Sequence, residues 1–135
     1  MENLNNLEDN DMCYACGKQN PKGLHLEFSF IEQEKRIETT FVASDAYQGW
    51  KGVLHGGIIA TLVDESMAKL AQRLGYRALT ASLDIRYKDM AKTCDPLHVS
   101  AEITKHSKKL LYAKAVASRE DGGIIAEAQA RLMIL

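Results

Sequence analysis

The stretch GWKGVLHGGIIATLVDESMAKL, Gly49–Leu70, decides the fold. From Gly57 to about Leu74 the apolar residues recur at helical spacing. Ile59, Val63, Met67, Leu70 and Leu74 form one stripe, with Leu62 and Ser66 at its edge. Gly75 is a natural stop. This predicts one long amphipathic helix, and on both sides of it the period drops to two. Upstream, LHLEFSF alternates Leu24, Leu26, Phe28 and Phe30 against polar partners. RIETTFVA then sets Ile37, Thr39 and Phe41 on one face, as the return strand of a hairpin turning near Gln33–Lys35.

Downstream, four more strands are expected. The first puts Leu79, Ala81, Leu83, Ile85 and Tyr87 on one face, and the second Leu97, Val99, Ala101 and Ile103. LLYAKAVAS alternates less cleanly. The last strand aligns Ile124, Ala126, Ala128, Ala130, Leu132 and Ile134, after a turn at Asp121, Gly122 and Gly123. Short connections favour antiparallel pairing, because parallel pairs need long crossovers. The result is an α+β domain with one helix covering one face of a sheet. The sheet's other face and edges call for a partner, so a homo-oligomer is expected.

Bulk properties set limits. The chain's 135 residues suffice for one core and leave no room for a second domain. Residues 1–11 read as a polar flexible tail and residues 12–135 as the single domain. A net charge of −1 gives no general attraction to nucleic acid or to an anionic membrane. The apolar runs fall far short of a bilayer span, and MENLNNLEDND lacks a signal-peptide core. Three cysteines, an odd number, fit reduced thiols in the cytoplasm.

Two features of the opening stretch carry chemistry. The first N–H groups of a helix lack internal partners and carry the positive end of its dipole. Gly56 and Gly57 let another group approach them closely, which suits an oxyanion or a polarised carbonyl. A tight loop-to-helix turn explains the pair equally simply. Asp64 falls beside the apolar stripe among small residues, Ala60, Thr61, Ala68 and Ala71, where a carboxylate is costly unless paired or used. An intersubunit salt bridge would also account for it. Glu65, about 100° further round the helix, reads as a solvated surface acid. The seven residues from Gly57 to Asp64 span roughly 10 Å of helix, too far for both to touch one reacting carbonyl. If both serve one reaction, they come from different subunits with antiparallel helices, in a two-fold dimer with two sites.

QGWKGVLHGGIIATLVDESM resembles the pattern of hotdog-fold acyl-CoA thioesterases of the phenylacetic-acid-degradation (PaaI-like) type, in which an acid follows nine residues after the His of His-Gly-Gly. His55 and Asp64 have that spacing. CYACGKQNPKGLHLEF and DGGIIAEAQARLMIL resemble the family's leading and closing segments. The resemblance implies a long central helix wrapped by a curved antiparallel sheet, a homodimer often assembled to a tetramer, and a CoA thioester held between subunits. It implies Asp64 as general base or nucleophile, the N–H of Gly56, alone or with that of Gly57, polarising the carbonyl, and His55 shaping the turn. Gln48 would orient water or substrate, although relatives carry their Gln or Asn where this chain has Gly49. Ala68 stands where other members have Ser or Thr. No cofactor is implied, coenzyme A entering only as part of the substrate. A hotdog enoyl-CoA hydratase or dehydratase and a non-catalytic acyl-CoA-binding module are the alternatives.

Other groups are candidates for binding. Lys108 and Lys109 crowd a strand-to-strand turn with Lys105 and His106, and Arg86 and Lys88 lie on the polar face after the helix. Each is either a solvated surface charge or a contact to CoA phosphates. Trp50 and Tyr47 line an acyl pocket or plug a loop. Cys13 and Cys16 form C-x-x-C, but a structural zinc needs four ligands and only His25 and the distant Cys94 offer more. The reading is therefore a loop packed with small buried thiols, and no metal is expected.

Overall fold

The computed structural model describes residues 7–135. The elements are β1 (Ser29–Ile31), β2 (Arg36–Val42), α1 (Gly56–Arg73), β3 (Ala78–Tyr87), β4 (Pro96–Ser107), β5 (Leu110–Arg119) and β6 (Ile124–Ile134). Short 3-10 turns at Glu32–Glu34 and Asp45–Tyr47 complete them. The six strands make one antiparallel sheet in the order β1-β2-β4-β5-β6-β3. Consecutive hairpins build its centre, while β3 crosses over to the far edge. Residues 1–6 of the expected tail lie outside the described residues, and Leu7 is tied to the domain through its carbonyl, which accepts from Arg77 at 2.7 Å.

The helix keeps its predicted face. Ile59, Leu62, Val63, Met67 and Leu70 are buried on α1 against Ile37, Leu97, Val99, Leu111, Ile125 and Leu132 of the sheet. Each such leucine contributes about 2 kcal/mol of burial. Ser66, also buried, donates to the Leu62 carbonyl at 2.6 Å and so satisfies its own hydroxyl. Alanines pave the sheet's centre in cross-strand pairs, Ala113 with Ala130, Ala115 with Ala128 and Ala117 with Ala126. Their small side chains let the helix lie close to the strands, which explains why β5 looked weakly patterned: its inward positions are alanines. Gly75, at φ +96°, ends the helix as expected.

Three expectations change. LHLEFSF is a strand only from Ser29 on. His25 sits at φ +53°, a left-handed conformation that breaks a strand. Leu24 and Leu26 are nevertheless buried, held by N–H donation to the carbonyls of Tyr14 and Ala15 at 2.8 and 2.9 Å. In β3 a bulge leaves Ala81 unpaired between Thr80 and Ser82. An extra residue reverses the alternation, so Leu79 faces outward while Thr80, Leu83, Ile85 and Tyr87 share the inner face. A second irregularity where β5 meets β6 sets Ile125 in the core and leaves Ile124 exposed. Among the described residues no helix is long and apolar enough to cross a membrane.

Candidate active site

The start of α1 is held from several directions. His55, the N-cap, has extended backbone angles of φ −62° and ψ 133°. Its imidazole Nδ1 accepts the Gly57 N–H at 2.8 Å. Its carbonyl accepts the N–H groups of Ile58 and Ile59 at 3.0 and 3.3 Å, and its own N–H donates to the Tyr47 carbonyl at 2.9 Å. Tyr87 reaches from the end of β3 to donate its hydroxyl to the Gly56 carbonyl at 2.7 Å. Of the four N–H groups a helix start leaves without intrahelical partners, three are thus occupied. That of Gly56 has no acceptor among the described residues. A Cβ on Gly57 would stand 3.0 Å from the His55 Nδ1, so the second glycine makes room for the imidazole cap.

The loop before the helix explains other candidates. Gln48 accepts the Gly52 N–H on its Oε1 at 3.0 Å, which commits that oxygen to the turn. Tyr47 packs edge-on against Phe41, with ring centroids 6.0 Å apart, and belongs to the rim of the core. Trp50 is 85% exposed and plugs no loop among the described residues.

Asp64 lies two turns further along, half-buried, and its Oδ1 accepts the Thr80 hydroxyl at 2.7 Å. That contact depends on the Ala81 bulge: regular alternation would turn Thr80 away from the helix. Sequence reading missed Thr80 for that reason, since nothing in LTASLDIRY marks where a bulge falls. Asp64 makes no salt bridge among the described residues. Within one chain, Gly56 and Asp64 are roughly 12 Å apart along the helix axis. Beside Asp64, β3 forms one of the two edges of the sheet among the described residues, and its inner-face residues Leu83 and Tyr87 are 37% and 51% exposed.

The basic candidates do not converge within one chain. Arg86 is on the outer face, 3.7 Å from Asp84. Lys88 is exposed just past β3, and its N–H donates to the Ile125 carbonyl. Lys108 and Lys109 form the β4–β5 hairpin tip, near the opposite end of the helix, where His106 meets the Tyr76 hydroxyl at 3.3 Å. A cavity of about 540 Å³ is also on the outer face, lined by Ser82, Asp84, Lys114 and Arg131 and not by Asp64.

Glu65 departs from expectation. It is half-buried beneath the N-terminal loop, with its Oε1 3.8 Å from the Cys13 Sγ. Cys16 completes this group, and Lys69 lies 4.0 Å from its sulfur. Burial, and then the hydrogen bond and charge of Glu65, push the Cys16 thiol far above its ordinary range. The helical wheel placed Glu65 correctly in angle, but the wheel alone could not show that residues 13–17 cover that side.

Comparison with known proteins now adds to this geometry. The family model described as "Thioesterase superfamily" matches residues 51–126. Human acyl-coenzyme A thioesterase THEM5 is 26% identical over 106 residues, covering 78% of this chain and 43% of that protein. The chain spans about half the length of the curated relatives it matches. Among solved structures, a hypothetical thioesterase with coenzyme A from Streptococcus pneumoniae superposes with a TM-score of 0.76 at 18% identity, over 82% of this chain and 85% of the other. The E. coli PaaI protein from the phenylacetic acid degradation operon gives 0.77 at 15% identity, over 83% and 80%. These superpositions establish the hotdog fold.

Proposed function

Because the chain belongs to the thioesterase superfamily, we propose that it hydrolyses an acyl-CoA thioester to the free acid and CoA. One observation carries this reading: among the described residues the helix start keeps a single N–H without an acceptor, at Gly56, while the half-buried Asp64 carboxylate is oriented by Thr80. A donor aimed at a developing oxyanion and a carboxylate aimed at water or carbon are the two groups such a hydrolysis needs.

In this scheme the thioester carbonyl of the substrate lies at one subunit's helix start, where the Gly56 N–H takes up charge as the carbonyl becomes tetrahedral. Asp64 of the other subunit removes a proton from the attacking water, and the C–S bond breaks as the tetrahedral species collapses, the thiolate taking up that proton as the CoA thiol. Alternatively, Asp64 attacks the carbonyl carbon itself, and the C–S bond breaks with loss of the thiolate to leave a mixed anhydride. Water then hydrolyses the anhydride to free the acid and the carboxylate, supplying the thiol's proton. The β3 edge with its bare Leu83 and Tyr87 supports a two-fold dimer, in which the second chain's β3 extends the sheet and brings its helix alongside. Pairing of such dimers to a tetramer would use the outer face. The chemistry asks for no cofactor beyond the CoA of the substrate, and three free thiols suit the reducing cytoplasm.

The hydratase reading is weaker, because the His55 Nδ1 is already spent on the Gly57 N–H. A panel of short, long and aromatic acyl-CoAs, assayed for both thioester cleavage and enoyl hydration, tests the proposal. Asp64→Ala should abolish cleavage in a folded oligomer. Full turnover by that variant would overturn the assignment, and tight CoA binding without any turnover by the wild type would favour a binding module.

A further inference from the structure

The N-terminal loop brings a second set of reactive groups together, away from Asp64. Cys13 and Cys16 sit on one tight turn, closed by donation of the Gly17 N–H to the Cys13 carbonyl at 2.8 Å. The Cys16 N–H points at the Cys13 sulfur, 3.5 Å away. Gly17 is required there, since a Cβ would collide with the backbone of Cys13 and Asp11. The turn therefore aims both sulfurs to one side, where the Glu65 carboxylate of α1 meets them. One ligand atom from each of the three residues lies within 4.8 Å of the other two.

We infer that Cys13, Cys16 and Glu65 bind a thiophilic divalent metal ion such as zinc, which clamps the N-terminal loop onto the helix. Tetrahedral zinc with metal–sulfur bonds near 2.3 Å places its ligand atoms roughly 3.5–3.8 Å apart. The cluster reaches that spacing by contracting less than about 1.3 Å, within the range of side-chain rotation. Soft thiolates with one carboxylate select zinc over magnesium or calcium. Charge agrees as well. Two thiolates and a carboxylate carry −3, a divalent ion leaves −1, and the Lys69 ammonium beside the Cys16 sulfur neutralises the remainder. Backbone and ammonium N–H groups directed at ligating sulfurs are the outer partners that hold such ligands in place. The fourth position opens into a cavity of about 340 Å³ that all three ligands line, leaving room for a water. Binding forms two metal–sulfur bonds and one metal–oxygen bond, and releases the two thiol protons to solvent. The inference departs from the sequence expectation of no metal, which counted ligands without Glu65.

The test uses the full chain, stripped of metal by a chelator under reductant and then titrated with cobalt or zinc ions alone. Cobalt should bind at one equivalent, with a thiolate-to-metal absorption band in the near ultraviolet, and zinc should displace it. Cys13→Ser and Cys16→Ser should lose the band, whereas Cys94→Ser should keep it. Glu65→Gln, which retains the thiols and the helix, should weaken zinc binding beyond the roughly 10–100-fold cost of losing an outer partner, and Lys69→Met should fall within that range. Circular dichroism identifies variants that fail to fold, and Glu65→Gln then carries the test. Absence of a thiolate band in the reduced wild type would overturn the inference. So would an undiminished band in folded Cys13→Ser, or unchanged zinc affinity in Glu65→Gln.

Discussion

Gly56→Pro and Asp64→Asn remove the two halves of the proposed site one at a time, so mixing them asks whether those halves meet across chains. Proline suits the first helical position, where its fixed φ fits and its missing N–H costs no intrahelical bond. His55 already has the extended backbone that a residue before proline adopts. Gly56→Pro therefore deletes the proposed carbonyl-polarising donor while leaving the helix start in place. Loss of a single oxyanion donor lowers kcat about 10²–10³-fold. Asp64→Asn keeps the side chain's size and an oxygen to accept from Thr80, and removes the base, a loss of about 10²–10⁴-fold. In an equimolar mixture that exchanges subunits, half the dimers are mixed, and each mixed dimer has one site with both lesions and one with neither. Activity per site should recover to about a quarter of wild type. Release of the CoA thiol from an acyl-CoA, read with a thiol-reactive chromogen, measures it, after subtraction of the exposed Cys94. A mixture no more active than the average of its parents would refute a shared site.

Four further outcomes are expected. Thr80→Val removes the hydroxyl that orients Asp64, and loss of a hydrogen bond to a charged group, about 1.5 kcal/mol, should lower kcat roughly tenfold with little change in KM. His55→Ala removes the helix cap and should cost about 1 kcal/mol in denaturant unfolding, most of it regained by His55→Asn. Leu83→Lys, on the inner face of the β3 edge, should convert the proposed dimer to monomer in size-exclusion chromatography; unchanged elution would overturn pairing through this edge. Arg119 donates to Asp89 at 2.6 Å and holds that carboxyl below its ordinary 3.8, helped by the Met90 N–H. The contribution of that pair is complete above the unfolded value and is lost as pH falls through the lower folded value. In Arg119→Gln the Asp89 midpoint followed by NMR should rise toward 3.8.

Periodicity sufficed for the helix, its buried stripe, its stop at Gly75 and the faces of β2, β4 and most of β6, because each of those follows from which side of an element meets the core. The helix rise alone separated Gly57 from Asp64. What periodicity could not supply is any place where the backbone abandons regular repeat. The bulge at Ala81 reverses one strand's faces and delivers Thr80 to Asp64. The irregularity opposite Ser118 exchanges Ile124 for Ile125. A left-handed His25 lets Leu24 and Leu26 bury themselves without a strand. The third ligand of the cysteine cluster was hidden for a different reason. Glu65 and Cys13 are 52 positions apart, and only the folded loop makes them neighbours.

The position of β3 also governs the order in which the molecule can be made. Its sheet partner among the described residues is β6, roughly 40–55 residues further along the chain, while α1 precedes it by a short turn. During synthesis the helix and the β4–β5 hairpin can form early, yet β3 must wait until the last strand has emerged. Until then Thr80 has no fixed position and Asp64 no oriented partner. An intermediate lacking β6 would thus display an unpaired strand and an unoriented carboxylate, and the closing of β6 onto β3 would be the step that sets Thr80 against Asp64.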